Sequence, residues 1–240
     1  MRLYGRNSVV ERLKINPQTI KKIYVARDID LKDIMTPIHK TKIPYVSLPM
    51  DSFIKQSRGR NAQGIIADIE EYQYCDFDDL LEYKDKQLTL VFLDGITDPQ
   101  NFGGILRSAA CLGDFAIVLP KHRSVEINET VLHVASGAEN HVPVSKVTNL
   151  SQALELVRDK DYCVAGSVVS GGQNLMEVKL EFPLALVIGS EDKGVRQGLT
   201  KKFDIELSIP MHGANLSFNA AVATALFCYE ITRQKNISKI

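Results

Sequence analysis

Short apolar runs alternate with helix-like segments along the last two thirds of the chain, and this alternation constrains the fold more than any other feature. One unit of it reads LTLVFLDGITDPQNFGGILRSAACLGDFAIVLP, in which apolar runs flank a glycine-containing turn and a helical pattern. Such alternation is typical of a mostly parallel sheet with helices on both faces. We predict strands at Leu88–Leu93, Ala116–Leu119, Val142–Lys146, Tyr162–Ser167, Leu184–Ile188 and Glu206–Ile209. We predict helices at Phe102–Leu112, Asn128–Ala135, Leu150–Asp159, Val195–Phe203 and Phe218–Lys235.

The first 71 residues carry a different pattern, which predicts a separate small α/β domain. Its expected elements are helices at Asn7–Leu13, Leu31–Lys40 and Met50–Gln56, and strands at Lys22–Val25, Pro44–Ser47 and Gly64–Ile69. Residues 72–87 are acidic and polar, as in a linker, with room for one short helix at FDDLLEY. The predicted division is therefore a domain over residues 1–71, an acidic linker over 72–87 and a larger domain over 88–240.

Charge is distributed unevenly, although 29 Lys and Arg balance 29 Asp and Glu over the whole chain. Residues 1–71 hold 13 Lys and Arg against 8 Asp and Glu, which favours contact of this segment with phosphate. No apolar run reaches the roughly 20 residues of a membrane-spanning helix. The N-terminus lacks the apolar core of a signal peptide, and the four cysteines lack the spacing of zinc ligands. We expect a cytoplasmic protein with reduced thiols and no metal.

The stretch DPQNFGGILRSAACLG, residues 98–113, places an amide, two glycines and an arginine at the end of a predicted strand. We interpret Asn101 as the N-cap of the following helix, since asparagine is favoured at that position. Long helical side chains lean back over positions i−3 and i−4, which for Arg107 are Gly104 and Gly103. The guanidinium would then reach the helix N-terminus, where anions bind. Packing against another helix is the alternative explanation for the glycines.

Two further strand ends carry small polar residues beside glycine. LALVIGSEDKGV breaks at Gly189 and continues into Glu191, and IPMHGANLSFNAA places Ser217 and Asn219 at the start of the last helix. Helix capping and the helix dipole explain each of these residues singly. Together they predict a ligand site, because the carboxyl ends of parallel strands are where such sheets bind ligands.

These three stretches resemble, in order and spacing, the motifs of the SpoU branch of the SPOUT RNA methyltransferases. The family's motifs read approximately D-P-x-N-x-G-A-I-x-R, then G-x-E-G-x-G, then I-P-M followed by S-L-N-V-S-x-A. The resemblance covers nearly all of residues 88–233, and YGRNSVVERL and AQGIIADI are similar to the family's RNA-binding domain. Bacterial 23S rRNA guanosine 2′-O-methyltransferases are the members most similar to this sequence.

The resemblance implies a C-terminal trefoil knot, a homodimer with the knots at its interface, and S-adenosylmethionine as cofactor. It implies transfer of a methyl group to a ribose 2′-oxygen of RNA without a metal. By position in the motifs, the implied catalytic residues are Arg107, Asn101, Ser217, Asn219 and Glu191. The implied lining of the cofactor pocket is Gly189, Ile209, Met211 and Phe218. The last helix, with its apolar first half, is a candidate for the dimer interface.

This sequence departs from the family's motifs at several positions. Gly104 replaces the usual alanine of the first motif, and Asp192 and Val195 are departures in the second. In the third motif Phe218 keeps the pocket apolar, and Ala221 removes a hydroxyl. None of the implied catalytic residues is altered, so we expect an active enzyme.

In the small domain, SRGRNAQG places Arg58 and Arg60 in a predicted loop, where they could contact RNA phosphates; a solvated hairpin tip is the alternative. Two functional alternatives also stand. One is a tRNA 2′-O-methyltransferase of the same branch, and the other is an inactive RNA-binding or ribosome-assembly module. A dinucleotide-dependent oxidoreductase is disfavoured because the turn lacks G-x-G-x-x-G.

Overall fold

The structure is a computed structural model that describes residues 1–27, 29–30, 32–82, 88–213 and 216–237. Contacts divide the chain into two units, one formed by Met1–Gln73 with Glu126–His141 and the other by Tyr74–Val125 with Val142–Ile240. These units differ from the predicted division at two places. Tyr74 was predicted in the linker but belongs to the second unit, and Glu126–His141 was predicted in the larger domain but belongs to the first unit. Residues 83–87 of the predicted linker lie outside the described part of the chain.

The strands are β1 (Arg2–Tyr4), β2 (Ile20–Ala26), β3 (Tyr45–Leu48), β4 (Ile65–Ile69), β5 (Thr89–Asp94), β6 (Phe115–Pro120), β7 (Val144–Val147), β8 (Cys163–Ser167), β9 (Gln173–Asn174), β10 (Leu184–Gly189) and β11 (Ile205–Ser208). The α-helices are α1 (Arg6–Ile15), α2 (Lys32–Thr41), α3 (Met50–Ser57), α4 (Phe77–Glu82), α5 (Pro99–Leu112), α6 (Glu129–Ala135), α7 (Leu150–Arg158), α8 (Gln197–Thr200) and α9 (Ala220–Ile237).

The first unit is built on a four-stranded mixed sheet in the order β1-β4-β2-β3. Strand β4 runs antiparallel to both β1 and β2, while β3 runs parallel to β2. Apolar side chains from alternate strand positions fill the space between the sheet and its helices, among them Leu3, Ile23 and Ile65. Helix α6 belongs to this unit, so a segment from the second half of the chain completes the small fold.

The second unit is a seven-stranded parallel sheet in the order β7-β6-β5-β10-β8-β11-β9. Every residue of β5 and β6 is buried, as expected for strands covered on both faces. The α/β class and the mostly parallel sheet are thus confirmed. Helix α4 forms at the predicted FDDLLEY, and its Leu80 and Leu81 join the core of this unit.

The predicted strands and helices are confirmed in place, with ends that shift by a few residues. The largest differences concern three elements. Strands β1 and β9 were not predicted, because runs of three and two residues carry no readable periodicity. The helix predicted at Val195–Phe203 shrinks to Gln197–Thr200. Among the described residues, no helix is both long and apolar enough to cross a membrane.

Candidate functional site

The parallel sheet brings the three predicted strand ends to one edge. Asp94 at the end of β5 pairs in register with Gly189 at the end of β10, so both strands terminate at the same level. Strand β11 continues beyond Ser208 into the loop that leads to α9. Residues that lie 90 or more positions apart in sequence therefore meet above the carboxyl edge of this sheet.

Helix α5 begins three residues before the predicted start, and its N-cap is Asp98 rather than Asn101. The Asp98 carboxylate accepts a 2.9 Å hydrogen bond from the backbone N–H of Gln100, and Pro99 occupies the first helical position. Proline suits that position because its missing N–H would have no helical partner there. The interpretation of Asn101 as the cap is wrong, and its amide is free for other contacts.

Asn101, Glu191 and Asn219 form a hydrogen-bonded cluster, called here the Glu191 cluster. The Asn101 amide donates to the Glu191 carboxylate at 3.3 Å. The Asn219 amide donates to Asn101 Oδ1 at 2.8 Å and also to Glu191 Oε1. Each of the three predicted strand ends contributes one member of this cluster.

Two members of the cluster also fix the start of α9. Asn219 Oδ1 accepts hydrogen bonds from the backbone N–H groups of Ala221 and Val222, at 3.0 and 3.3 Å, so Asn219 acts as the N-cap. The Glu191 carboxylate accepts from the backbone N–H of Ala220 at 3.1 Å. A negative charge at this end complements the helix dipole. Glu191 therefore anchors the β10–α8 loop to the last helix.

The two glycines of α5 are explained differently from the sequence-based interpretation. They lie in the second turn of the helix, and a Cβ at Gly104 would be 3.2 Å from the Cβ of Ala221. The small residues at both positions let α5 and α9 pack closely. Of the two explanations offered for the glycines, helix packing is the one that the contact at Gly104 supports.

Arg107 is exposed on α5, and it makes no hydrogen bond or ion pair with any residue that the structure describes. Asn101, another of the implied catalytic residues, bonds to Glu191 and Asn219 and not to Arg107. Glu191 likewise does not pair with Arg107 in the described chain. A cation without an internal partner remains available to an external anion.

A cavity of about 280 Å³ opens beside the Glu191 cluster. All four residues predicted to hold the cofactor line it, namely Gly189, Ile209, Met211 and Phe218. Glu191 and Ser217 of the predicted catalytic set also line it, whereas Asn101, Asn219 and Arg107 are outside its described lining. The sequence analysis missed further lining residues, among them Ser167, Val168, Thr200 and Phe227. The sequence SVVSGG at the end of β8 is the signal that could have identified Ser167 and Val168.

The loop that closes one wall of the cavity depends on Gly189. A Cβ at this position would lie 2.1 Å from the backbone carbon of Gly194 and 2.2 Å from the nitrogen of Val195. The loop therefore folds back directly onto the end of β10, and only glycine leaves room for it. The fold of the loop thus requires glycine at position 189, in addition to the place of this residue in the cavity wall.

A buried carboxylate holds the far end of the same loop. Asp94 accepts hydrogen bonds from the backbone N–H of Arg196 at 2.8 Å and from its Nε at 2.7 Å. The sequence analysis assigned no role to either residue. An aspartate at the end of a fully apolar strand was the available signal, because a buried charge requires a partner.

The two predicted RNA contacts of the first unit differ from each other. Arg60 forms a 2.8 Å ion pair with Glu129, and its guanidinium lies 4.8 Å from the centre of the Tyr4 ring. Arg58 caps α3 in a left-handed conformation, and its side chain is exposed. Arg60 therefore holds parts of its own unit together, whereas Arg58 is available to a ligand.

The described residues contain no group of three or more His, Cys, Asp or Glu side chains placed to hold a metal ion. The polar groups of the site are hydrogen-bond donors and acceptors, and the cavity beside them has apolar walls from Ile188, Val195, Ile209, Phe218 and Phe227. Such a pocket suits an organic ligand with an apolar body and a few polar groups.

Two family models match the chain. The SpoU rRNA Methylase family matches residues 88–229, and the model described as RNA 2'-O ribose methyltransferase substrate binding matches residues 2–75. A protein of Staphylococcus haemolyticus strain JCSC1435, provisionally named a TrmH family tRNA/rRNA methyltransferase, is 35% identical, over 98% of this chain and 96% of that protein. YacO of Bacillus subtilis strain 168, with the same provisional family name, is 34% identical over 97% and 95%.

Solved structures share the fold. The SpoU methyltransferase AviRb from Streptomyces viridochromogenes, in complex with AdoMet, has a TM-score of 0.80 at 20% identity, covering 98% of this chain and 90% of that one. An AdoMet-bound rRNA methyltransferase from Sinorhizobium meliloti has a TM-score of 0.79 at 20% identity, covering 97% and 86%.

Proposed function

The chain belongs to the SpoU rRNA methylase family, and from this premise we propose that it methylates a ribose 2′-oxygen of RNA, with a guanosine of 23S ribosomal RNA as the target. The coarser activity, methylation of RNA, is that of the family. The observation that carries the finer proposal is the convergence of three strand-end motifs on one exposed polar cluster beside a cavity.

S-adenosylmethionine is the cofactor, and the residues of the cavity fit it. When bound, it supplies an electrophilic methyl group carried on a sulfonium. Phe218 and Ile209 offer apolar walls for a purine ring, and the exposed Met211 lies at the same opening. Glu191 places a carboxylate in the lining, next to neutral donors such as Ser217. Gly189 makes room for the loop backbone at Gly194 and Val195, which forms part of the same lining.

Arg107 is the proposed catalytic residue. A ribose hydroxyl is a weak nucleophile, so the site must stabilise the developing negative charge and align the oxygen with the methyl group. The guanidinium stays protonated in proteins, which argues against a role as general base. Its proposed role is to bind the adjacent phosphate and donate a hydrogen bond to the oxygen as charge develops. Its lack of an internal partner supports this role.

The other catalytic candidates have positioning roles. Ser217 is exposed in the cavity wall and would bind the ribose or its phosphate. Asn101 and Asn219 retain exposed polar atoms but are engaged with Glu191, so we assign them to holding the three strand ends in register. Glu191 joins the β10–α8 loop to α9, which supports a structural role for this residue rather than a part in the chemistry.

A homodimer is also part of the proposal. Helix α9 exposes Val222, Leu226 and Tyr229, spaced four and three residues apart on one face, and this apolar stripe would suit a second copy of the chain. The trefoil knot implied by the motifs stays a prediction, as does a cytoplasmic location, which an RNA substrate favours.

Methyl transfer to ribosomal RNA tests the proposal. We expect Arg107→Ala to reduce transfer by about 10²- to 10³-fold, the usual cost of losing one donor to a developing oxyanion. Affinity for S-adenosylmethionine, measured by calorimetry, should stay unchanged because Arg107 is not among the residues that line the described cavity. Arg158→Ala, which removes an exposed arginine of α7 that pairs with Asp204, controls for the loss of a surface arginine. Normal transfer by Arg107→Ala would overturn the assigned role.

A tRNA substrate is the second candidate, favoured by relatives whose names include both tRNA and rRNA. Methylation of purified tRNA and rRNA with labelled cofactor, followed by nucleoside analysis, separates the two substrates. Detection of 2′-O-methylguanosine only in 23S rRNA supports the proposed target. Absence of any heat of cofactor binding would instead favour an inactive RNA-binding module.

A further inference from the structure

Three consecutive side chains with hydrogen-bond donors follow β6 at the carboxyl edge of the parallel sheet. Lys121, His122 and Arg123, called here the 121–123 loop, are all exposed. None of their side chains has a hydrogen bond, ion pair or ring contact with a residue that the structure describes. The motifs discussed above do not include this loop, and the catalytic roles proposed above do not use it.

The backbone of the loop is tightly held, although its side chains are free. Lys121 N–H donates to Val147 O at 2.8 Å, and Val125 N–H donates to Ile96 O at 2.9 Å. Ser124 Oγ donates back to Pro120 O at 2.5 Å. Arg123 has a φ of 57°, a left-handed conformation that is uncommon for a residue other than glycine. The donors therefore project from a fixed backbone rather than from a flexible tip.

The loop lies next to the candidate site. Strand β6 pairs in register with β5, so their carboxyl ends are one strand spacing apart, about 4.8 Å. Ile96, to which the loop is hydrogen-bonded, lies between β5 and α5, the helix that carries Asn101 and Arg107. The cavity lies on the other side of β5, above β10, β8 and β11. Along this edge the 121–123 loop therefore comes first, followed by Asn101 and the other members of the Glu191 cluster, and then by the cavity.

Three other cations of the same unit are neutralised locally. Arg158 pairs with Asp204, Lys202 with Glu155 and Arg233 with Glu230. Lys121 and Arg123 have no such carboxylate, so their charge is available to an external anion. Lys121 and Arg123 thus form a basic rim on the flank of the site where β6 ends.

We propose that the 121–123 loop binds the phosphodiester backbone of the substrate RNA on the side of the target ribose away from the cofactor cavity. This inference rests on the proposed function and extends it, because it assigns an RNA contact to the methyltransferase unit itself. Lysine and arginine contacts to phosphate position a nucleic acid without reading its sequence. The loop would hold the strand while Arg107 acts at the sugar.

The salt dependence of RNA binding tests the proposal. The probe is fluorescently labelled 23S rRNA fragments, and the variant is Lys121→Gln combined with Arg123→Gln in the full chain. Each lost phosphate contact lowers the slope of log affinity against log salt by about 0.7 to 1. We expect the double variant to bind about three- to tenfold more weakly at low salt, with a slope reduced by about 1.5. Lys121→Arg with Arg123→Lys should retain both the affinity and the slope.

A matched control separates this contact from general charge effects. Lys160 is an exposed, unpaired lysine of the same unit that precedes β8, so it lies at the opposite edge of the sheet. Lys201 is also exposed and precedes β11. Lys160→Gln combined with Lys201→Gln should leave the slope unchanged. An unchanged slope in the loop variant, or an equal loss in this control, would overturn the proposal.

Cofactor binding and methyl transfer are measured on the same samples. Failure of the wild-type protein to methylate any RNA would count against the proposed function, whereas the slope reports on the loop independently. Calorimetry with S-adenosylmethionine should give equal affinity for the wild type and the loop variant. A loss of cofactor affinity would mean that the substitution disturbs the site, and it too would overturn the assignment.

Discussion

Two glutamates, one in each unit, organise polar clusters of opposite character. Glu139 is only 4% exposed and accepts hydrogen bonds from Arg12 and Asn140, both at 3.1 Å, with Arg12 itself 6% exposed. Glu191 is exposed and accepts from Asn101, from Asn219 and from the first backbone N–H of α9. Both carboxylates join segments distant in sequence, yet only the second one faces solvent and a cavity.

The difference shows how the same side-chain type can serve the fold or a ligand. At Glu139, burial raises the pKa of the carboxyl, although the Arg12 charge and the hydrogen bonds lower it. Its Oε2 atom and Arg12 Nε have no described partner, so the pair carries an uncompensated desolvation cost. An exposed cluster carries little such cost, and its atoms remain accessible. We therefore assign the buried Glu139–Arg12 pair to joining segments within its own unit and the Glu191 cluster to the site.

Removing the buried cation should produce the largest effect. Arg12→Ala leaves Glu139 buried without its partner, and we expect a loss of about 3–5 kcal/mol in the free energy of unfolding. Urea denaturation checks this value. Lys14→Ala, on the same helix but exposed, should change it by no more than about 0.5 kcal/mol. Similar losses in both variants would contradict the large cost assigned to losing a buried cation.

The pH dependence of stability should identify Glu139 itself. A carboxyl whose pKa is raised on folding contributes stability below its unfolded pKa, near 4.3, and this contribution is lost as pH rises through the folded pKa. Glu139→Gln cannot titrate. The wild type should therefore lose stability relative to Glu139→Gln as pH rises above the unfolded pKa and through the raised folded pKa. A relative gain over this range would mean that the ion pair with Arg12 outweighs the desolvation cost.

The cap of α9 should give a smaller effect. Asn219→Ala removes the side chain that accepts from Ala221 and Val222, and we expect a loss of about 1 kcal/mol. Asn219→Ser retains a capping oxygen but lacks the amide that donates to Asn101 and Glu191. If the cluster has a positioning role, the serine variant keeps stability and still loses methyl transfer. Wild-type transfer in that variant would limit Asn219 to capping.

The exposed carboxylate should contribute least to stability. Glu191→Gln keeps an acceptor at the start of α9 but removes the charge, which costs less than about 1 kcal/mol. We expect KM for RNA to stay within about twofold while kcat falls about tenfold, as for a group that aligns the site. Thermal unfolding and steady-state methylation measure the two quantities. A loss of stability as large as that of Arg12→Ala would contradict the proposed contrast.

Sequence patterns predicted the local features well, and they failed where two distant segments meet. The strands of the parallel sheet could be located because fully buried strands form continuous apolar runs. Asn101 was mistaken for a helix cap because asparagine, aspartate and proline at this turn are all compatible with a helix start. Gly104 was linked to Arg107 because helical spacing is visible in a sequence, whereas its contact with Ala221 of α9 is not.

The first unit shows the same limit. An excess of positive charge over residues 1–71 indicated contact with phosphate, but Arg2, Arg12 and Arg60 form ion pairs within their own unit. Two of their partners, Glu139 and Glu129, lie in the segment Glu126–His141, far along the chain. Net charge counted along a sequence therefore overstates the charge that a ligand can meet.

By itself the sequence determined the α/β class, the alternation of strands and helices that gives a mostly parallel sheet, and the three strand ends where a site could form. Each of these depends on patterns within about 20 residues. Only the tertiary structure decided which atoms pair at that edge. Asn101 is hydrogen-bonded to Glu191, which lies 90 residues away in sequence, and to Asn219, which lies 118 residues away. A hydrogen bond depends on distances of about 3 Å, and those are set by how the whole sheet and its helices pack.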